Sequence, residues 1–125
     1  MPREAVSSEA LPPPVGPFSP AVRVGELLLL SGQVALDPKT GKLIDGDVAA
    51  QTAQVLENLR TLLGAAGKSL ADVARTNVYL TDMKDFARMN ASYARYFEPP
   101  YPARTTVAVA ALPLGAAVEI DLIAR

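Results

Sequence analysis

Pro102-Ala103-Arg104-Thr105-Thr106-Val107-Ala108-Val109-Ala110-Ala111-Leu112-Pro113, followed by Ala117-Val118-Glu119-Ile120-Asp121-Leu122-Ile123, is the stretch whose reading decides the fold. It reads as two β-strands joined by the breaker-rich turn Leu112-Pro113-Leu114-Gly115. Arg104 stands at the mouth of the first strand, and Glu119 lies inside the apolar run of the second. A carboxylate among Val118, Ile120 and Leu122 needs either water on its own face or a partner. Two readings follow: Glu119 on the open face of a half-buried strand, or a site in which Arg104 holds an anion and Glu119 handles protons.

Upstream, a helix is expected from Val48 to about Ala66, capped by Asp47 and stopped by Gly67. Its stripe is Val48, Thr52, Val55, Leu56, Leu59, Leu62, Leu63 and Ala66. Ser69 with Asp72 reads as a capped single turn, and Val73 to Leu80 as a strand. Thr81-Asp82 opens a second helix over Met83 to Phe97, with Phe86, Met89, Tyr93 and Phe97 on its core face. Asn90 shares that face, where its amide either ties down a loop or faces a cleft. Nearer the start, Ala21 to Val24 and Leu27 to Leu30 flank the hairpin signal Gly25-Glu26. The second of these strands runs into Ser31-Gly32-Gln33, where a glycine points to a bulge or a close approach of backbone. The Ser31 hydroxyl is either bonded to backbone or part of a site. Pro12, Pro13, Pro14, Pro17 and Pro20 favour an extended arm, residues 1–15 being proline-rich, and Phe18 follows its turn.

Strand, strand, helix, strand, helix, strand, strand is an α+β order, expected as one domain over residues 1–125 with two helices on one face of a five- or six-stranded sheet. Thr105, Val107 and Val109 then leave an apolar second face that two helices cannot cover. Other subunits are expected to cover it. If the last two strands form a hairpin about Leu114-Gly115, Glu119 lies opposite Ala110, roughly six residues or about 20 Å from Arg104. A small ligand served by both residues would then sit where two subunits meet.

Composition narrows the chemistry. The 125 residues include no histidine and no cysteine, which removes thiol catalysis, Ser-His-Asp chemistry and the usual zinc ligands. Net charge is −1 and basic residues are scattered, which argues against a nucleic-acid partner. The longest aliphatic run, Leu27 to Leu30, is too short for a membrane span, and no secretory signal is read, so a soluble cytoplasmic protein is expected.

Gly16-Pro17-Phe18, Ser31-Gly32-Gln33, Gln54-Val55-Leu56-Glu57-Asn58-Leu59, Val78-Tyr79-Leu80-Thr81-Asp82 with Phe86 and Asn90, Pro102-Ala103-Arg104-Thr105, and Leu112-Pro113 before Val118-Glu119-Ile120 resemble the RidA (YjgF) family, from about Gly16 to Ala124. The resemblance implies a chorismate-mutase-like α+β fold and a homotrimer with ligand clefts between subunits. It also implies hydrolysis of 2-aminoacrylate and 2-imino acids to 2-keto acids and ammonia, without metal or cofactor. By that resemblance Arg104 grips the substrate carboxylate, Glu119 orients a water, and Ser31 and Asn90 are polar pocket residues. Phe18 stands where the archetypal deaminases carry tyrosine, and Thr106 where they often carry cysteine, leaving its backbone to contribute. The rival readings are a non-catalytic protein that binds 2-keto acids in the same cleft, an RNA-cleaving protein, and a purely structural surface.

Overall fold

The structure is a computed structural model, described for residues 2–125. Six strands form one mixed sheet: β1 (Glu4–Val6), β2 (Ala21–Val24), β3 (Leu27–Gln33), β4 (Val73–Leu80), β5 (Ala103–Ala108) and β6 (Val118–Ala124). Their order across the sheet is β1-β2-β3-β6-β4-β5. Two helices, α1 (Val48–Ala65) and α2 (Phe86–Tyr93), complete the α+β architecture.

The hairpin expected of the last two strands does not form. β4 lies between them, antiparallel to β6 and parallel to β5. The reason lies in the connection: α2 sits between β4 and β5 in the chain, and a helical crossover returns a strand parallel to the one before it. Glu119 therefore pairs with Tyr79, not Ala110, and Arg104 pairs with Thr76. β5 also stops at Ala108, short of the apolar run, because β4 ends at Leu80 and offers no further ladder; Val109 N–H closes the pairing on the Leu80 carbonyl at 2.7 Å.

α1 forms as its stripe dictates. Asp47 accepts from Ala50 N–H at 3.0 Å, and Val55, Leu56, Leu59, Leu62 and Leu63 are fully buried. Gly67 leaves the helix at φ 75°, a conformation in which glycine carries no Cβ penalty. α2 is shorter than the expected Met83–Phe97 span. Met83–Asp85 is a separate tight turn, and Ala94, Arg95 and Tyr96 close further turns onto Asn90, Ser92 and Tyr93. That path buries Phe97 against the Tyr93 ring, centroids 4.7 Å apart, before Glu98-Pro99-Pro100 ends the segment.

Both helices pack on one face. Leu28 and Leu30 of β3, Val78 and Leu80 of β4, and Val118, Ile120 and Leu122 of β6 meet the α1 stripe with Met89, Tyr93 and Phe97. Each such aliphatic side chain contributes roughly 1.5–3 kcal/mol by leaving water. Phe86, expected in the core, is 39% exposed. The opposite face has no covering layer among the described residues: Leu27, Leu29 and Val107 are exposed there, and Val22, Leu29 and Ile123 form one row across three strands. Its polar residues bind one another, with Asn77 Nδ2 and the Tyr79 hydroxyl donating to the two oxygens of Asp121 at 2.8 and 2.9 Å. In the N-terminal arm Glu4–Val6 adds β1 to the sheet edge, a strand its sequence did not announce, and the extended arm expected over the prolines is instead broken by turns and bends at residues 9–11 and 15–18.

Candidate functional site

The parity of β4 places the two charged residues of the opening stretch. Thr76 and Tyr79 are three positions apart on one strand, so they point to opposite faces. Their partners follow: Arg104 projects on the helix side of the sheet, and Glu119 on the uncovered side.

On the helix side, the Arg104 guanidinium lies over two rings of α2, 4.8 Å from the Tyr93 centroid and 5.7 Å from that of Phe86. It makes no hydrogen bond or ion pair with any described residue. Arg23, Arg60, Arg75, Arg88 and Arg125, by contrast, donate to acceptors of the chain, and the two other arginines without such a bond, Arg3 and Arg95, are exposed. Asn90 stands between Phe86 and Tyr93 on the same helix face, and Thr106 is two residues beyond Arg104 on the same strand face. Asn90 Oδ1 and Thr106 Oγ1 are both buried without a hydrogen-bond partner. Such orphans are rare in folded chains. Here two of them accompany an arginine whose fork is unspent, at the free edge of a sheet. Burial pushes the Tyr93 phenol above its ordinary value of 10.0, against the Thr76 hydrogen bond and the Arg104 charge, which both pull it down.

Across the sheet, Glu119 meets the chain at Gly32. A Cβ added at Gly32 would stand 2.3 Å from Glu119 Oε2 and 2.9 Å from Cδ. The close approach expected of that glycine is thus to a side chain of the neighbouring strand, at the β3–β6 register shift between Leu30 and Gln33. The carboxylate opens into a groove of about 810 Å³, whose walls include Phe18, Gln33, Pro113 and Leu114. Burial raises the Glu119 carboxyl above its ordinary value of 4.5, and the Asp121 charge two residues along the same face adds to this. Phe18, half exposed, also borders a second depression with Ser31. The Ser31 hydroxyl donates to the Ser19 carbonyl at 2.7 Å, and its N–H to the Pro20 carbonyl. This residue pins the arm to β3.

The six candidate residues therefore fall into two groups. Arg104, Asn90 and Thr106 gather on one face; Glu119, Phe18 and Ser31 gather on the other. Sequence reasoning missed Thr76 and the Asn77–Asp121–Tyr79 bonds. The alternation of Glu119 and Asp121 along β6 was the available signal for the latter. Among the described residues no three carboxylates cluster as a metal site, and no helix is long and apolar enough to cross a membrane.

Known proteins share this arrangement of chain. The family described as Endoribonuclease L-PSP matches residues 8–125. A RutC family protein of Pyrococcus horikoshii is 48% identical over 98% of this chain and 97% of its own. The 2-iminobutanoate/2-iminopropanoate deaminase of Mus musculus is 44% identical over 98% of this chain and 90% of its own. The crystal structure of RidA from an Antarctic Psychrobacter superposes with a TM-score of 0.93 at 44% identity, covering 98% of both chains. Fold and site define a six-stranded α+β protein with an arginine on its edge strand. The chain belongs to the RidA (YjgF) family.

Proposed function

We propose that this protein hydrolyses 2-aminoacrylate and related 2-imino acids to 2-keto acids and ammonia, protecting pyridoxal-phosphate enzymes in the cytoplasm. The observation that carries the reading is Arg104: it lies over two rings, makes no hydrogen bond to any described residue, and has two unpartnered polar atoms on the same side. A planar guanidinium offers a carboxylate two parallel hydrogen bonds, the strongest anion contact available to a chain without histidine. The deaminase name carried by the Mus musculus relative agrees with it.

Glu119 supplies the proton chemistry. A protonated imine is already electrophilic at C2, so a water held by a nearby carboxylate suffices. The water oxygen bonds to C2 while its proton passes to Glu119. The nitrogen then takes that proton back, and as the C–N bond breaks the carbinol hydroxyl gives its own proton to Glu119, which passes it to the departing ammonia, so that the 2-keto acid and ammonium leave. A carboxyl raised by burial is better matched to accepting and returning a proton near neutrality than an ordinary one.

Arg104 and Glu119 of one chain face opposite ways, so one ligand meets both only between two subunits. The reading accordingly includes a homotrimer of chorismate-mutase-like architecture. Its contacts cover the exposed Leu27, Leu29 and Val107, and its clefts pair the Arg104 group of one subunit with the Glu119 group of the next. Phe18 and Ser31 would border that cleft on the Glu119 side.

The test is direct: 2-iminopropanoate generated in situ by an amino-acid oxidase should disappear faster with the protein than in buffer. No acceleration, with a 2-keto acid still bound, would establish the non-catalytic reading, which the missing phenol at Phe18 favours. The ribonuclease in the family description finds no support in the charge of −1.

A further inference from the structure

Arg104 lies over two rings and spends none of its donors on any described residue. Ring contacts act on the flat sides of a guanidinium, while its five N–H donors point outward in the plane. A carboxylate of the same chain in place of the rings would have consumed those donors. The rings are themselves anchored. Tyr93 is 5% exposed, packs against the Phe97 ring at a tilt of 33°, and shares a 2.8 Å hydrogen bond with Thr76 Oγ1. Thr76 is fully buried and stands beside Arg104 across the β4–β5 ladder. The links form a closed loop: from the Arg104 backbone to Thr76, from Thr76 to the Tyr93 hydroxyl, and from the Tyr93 ring back to the guanidinium. Phe86, seven residues before Tyr93 on the same helix face, supplies the outer ring.

We propose that Tyr93, tethered by Thr76, together with Phe86, are positioning residues that aim the Arg104 fork before any ligand arrives. The inference rests on the reading of Arg104 as the carboxylate grip. An arginine side chain on an edge strand would otherwise lose its rotamer freedom at the moment of binding. The ring cradle moves that loss into folding. Because the grip is the same in ground and transition states, weakening the cradle acts on KM far more than on kcat.

The experiment compares Phe86→Leu, Tyr93→Leu, Tyr93→Phe and Arg104→Ala by 2-iminopropanoate kinetics, 2-oxobutanoate binding and NMR of the Arg104 guanidinium. Expected rises in KM and Kd are about three-fold for Phe86→Leu and about ten-fold for Tyr93→Leu. Tyr93→Phe keeps the ring and loses the tether, giving about two-fold. Ring-shifted Arg104 Nε–H resonances should survive Tyr93→Phe and move toward ordinary arginine values in both leucine variants. Phe86 is partly exposed, so its variant carries the test if Tyr93→Leu fails to fold. Unchanged KM, Kd and Arg104 resonances in the folded leucine variants, with Arg104→Ala impaired, would overturn the cradle. An unimpaired Arg104→Ala would instead overturn the reading of Arg104 itself.

Discussion

The Glu119 carboxylate fills the space that a side chain at Gly32 would need. Oε2 lies 2.3 Å and Cγ 3.2 Å from where a Cβ would stand. What would collide is the far end of a flexible side chain, so Gly32→Ala should fold, at a cost of about 1 kcal/mol. The methyl group must swing Glu119 aside, and a misplacement near 1 Å can lower turnover about 100-fold. Melting curves and imine hydrolysis measured together decide the matter. Wild-type turnover in this variant would show that the resting place of Glu119 does not matter to the chemistry.

The pH dependence of stability follows from the raised Glu119 carboxyl. Its folded value lies above the ordinary 4.5, through burial first and Asp121 second. Just above 4.5 the folded chain holds a proton that the unfolded chain has released. Stability from this group is therefore present at lower pH and lost as pH rises through the folded value. Glu119→Gln cannot titrate, so its melting temperature should fall less steeply than the wild type's as pH climbs from 4.5 toward neutrality. Parallel curves for the two proteins would remove Glu119 from the acid-range profile.

At Arg104 the shape of the cation should matter as much as its charge. Arg104→Lys keeps the charge but replaces the planar fork with a point donor, so it should fail almost as badly as Arg104→Ala. Losing one partner of a desolvated charge pair costs about 2–5 kcal/mol, or roughly 30- to several-thousand-fold in binding. Full activity in Arg104→Ala would end the deaminase assignment at this residue.

The uncovered sheet face predicts the assembly. Leu27, Leu29 and Val107 are exposed on it with no helix over them, which leaves the face open to other subunits. Light scattering at micromolar concentration should give about three times 13.2 kDa. Leu29→Arg, which plants a charge in the Val22–Leu29–Ile123 row, should lower that mass. A monodisperse, well-behaved monomer of the wild type would remove the shared cleft.

Local pattern carried much of this structure. The α1 stripe, the Gly67 stop, the β2–β3 hairpin and the β4 span were legible because apolar period and breaker residues act within a few positions of themselves. Which strand pairs with which is not written in any strand's own period, and there the reading of β5 and β6 as neighbours failed. The cue lay between elements: a helix after β4 makes β5 its parallel partner. The candidate residues were legible by chemistry, since Arg104 and Glu119 are conspicuous in an apolar stretch. Their division between two faces was not, because it depends on the parity of Thr76 and Tyr79 in β4, a strand remote from both in sequence. The hydrogen bond of the Ser31 hydroxyl likewise depends on where the arm brings the Ser19 carbonyl, which no local pattern gives.

The placement of Arg104 and Glu119 on opposite faces also has a genetic signature. In the proposed assembly each cleft borrows its cation from one polypeptide and its acid from another. Chains carrying Arg104→Ala and chains carrying Glu119→Gln, each inactive alone, should complement when refolded together. Random mixing in equal amounts leaves about one cleft in four with both native residues, so about a quarter of wild-type activity should return. Two alleles that are null when homozygous would then rescue each other in one cell. If the mixture stays dead although the subunits exchange, cation and acid must be read from the same chain.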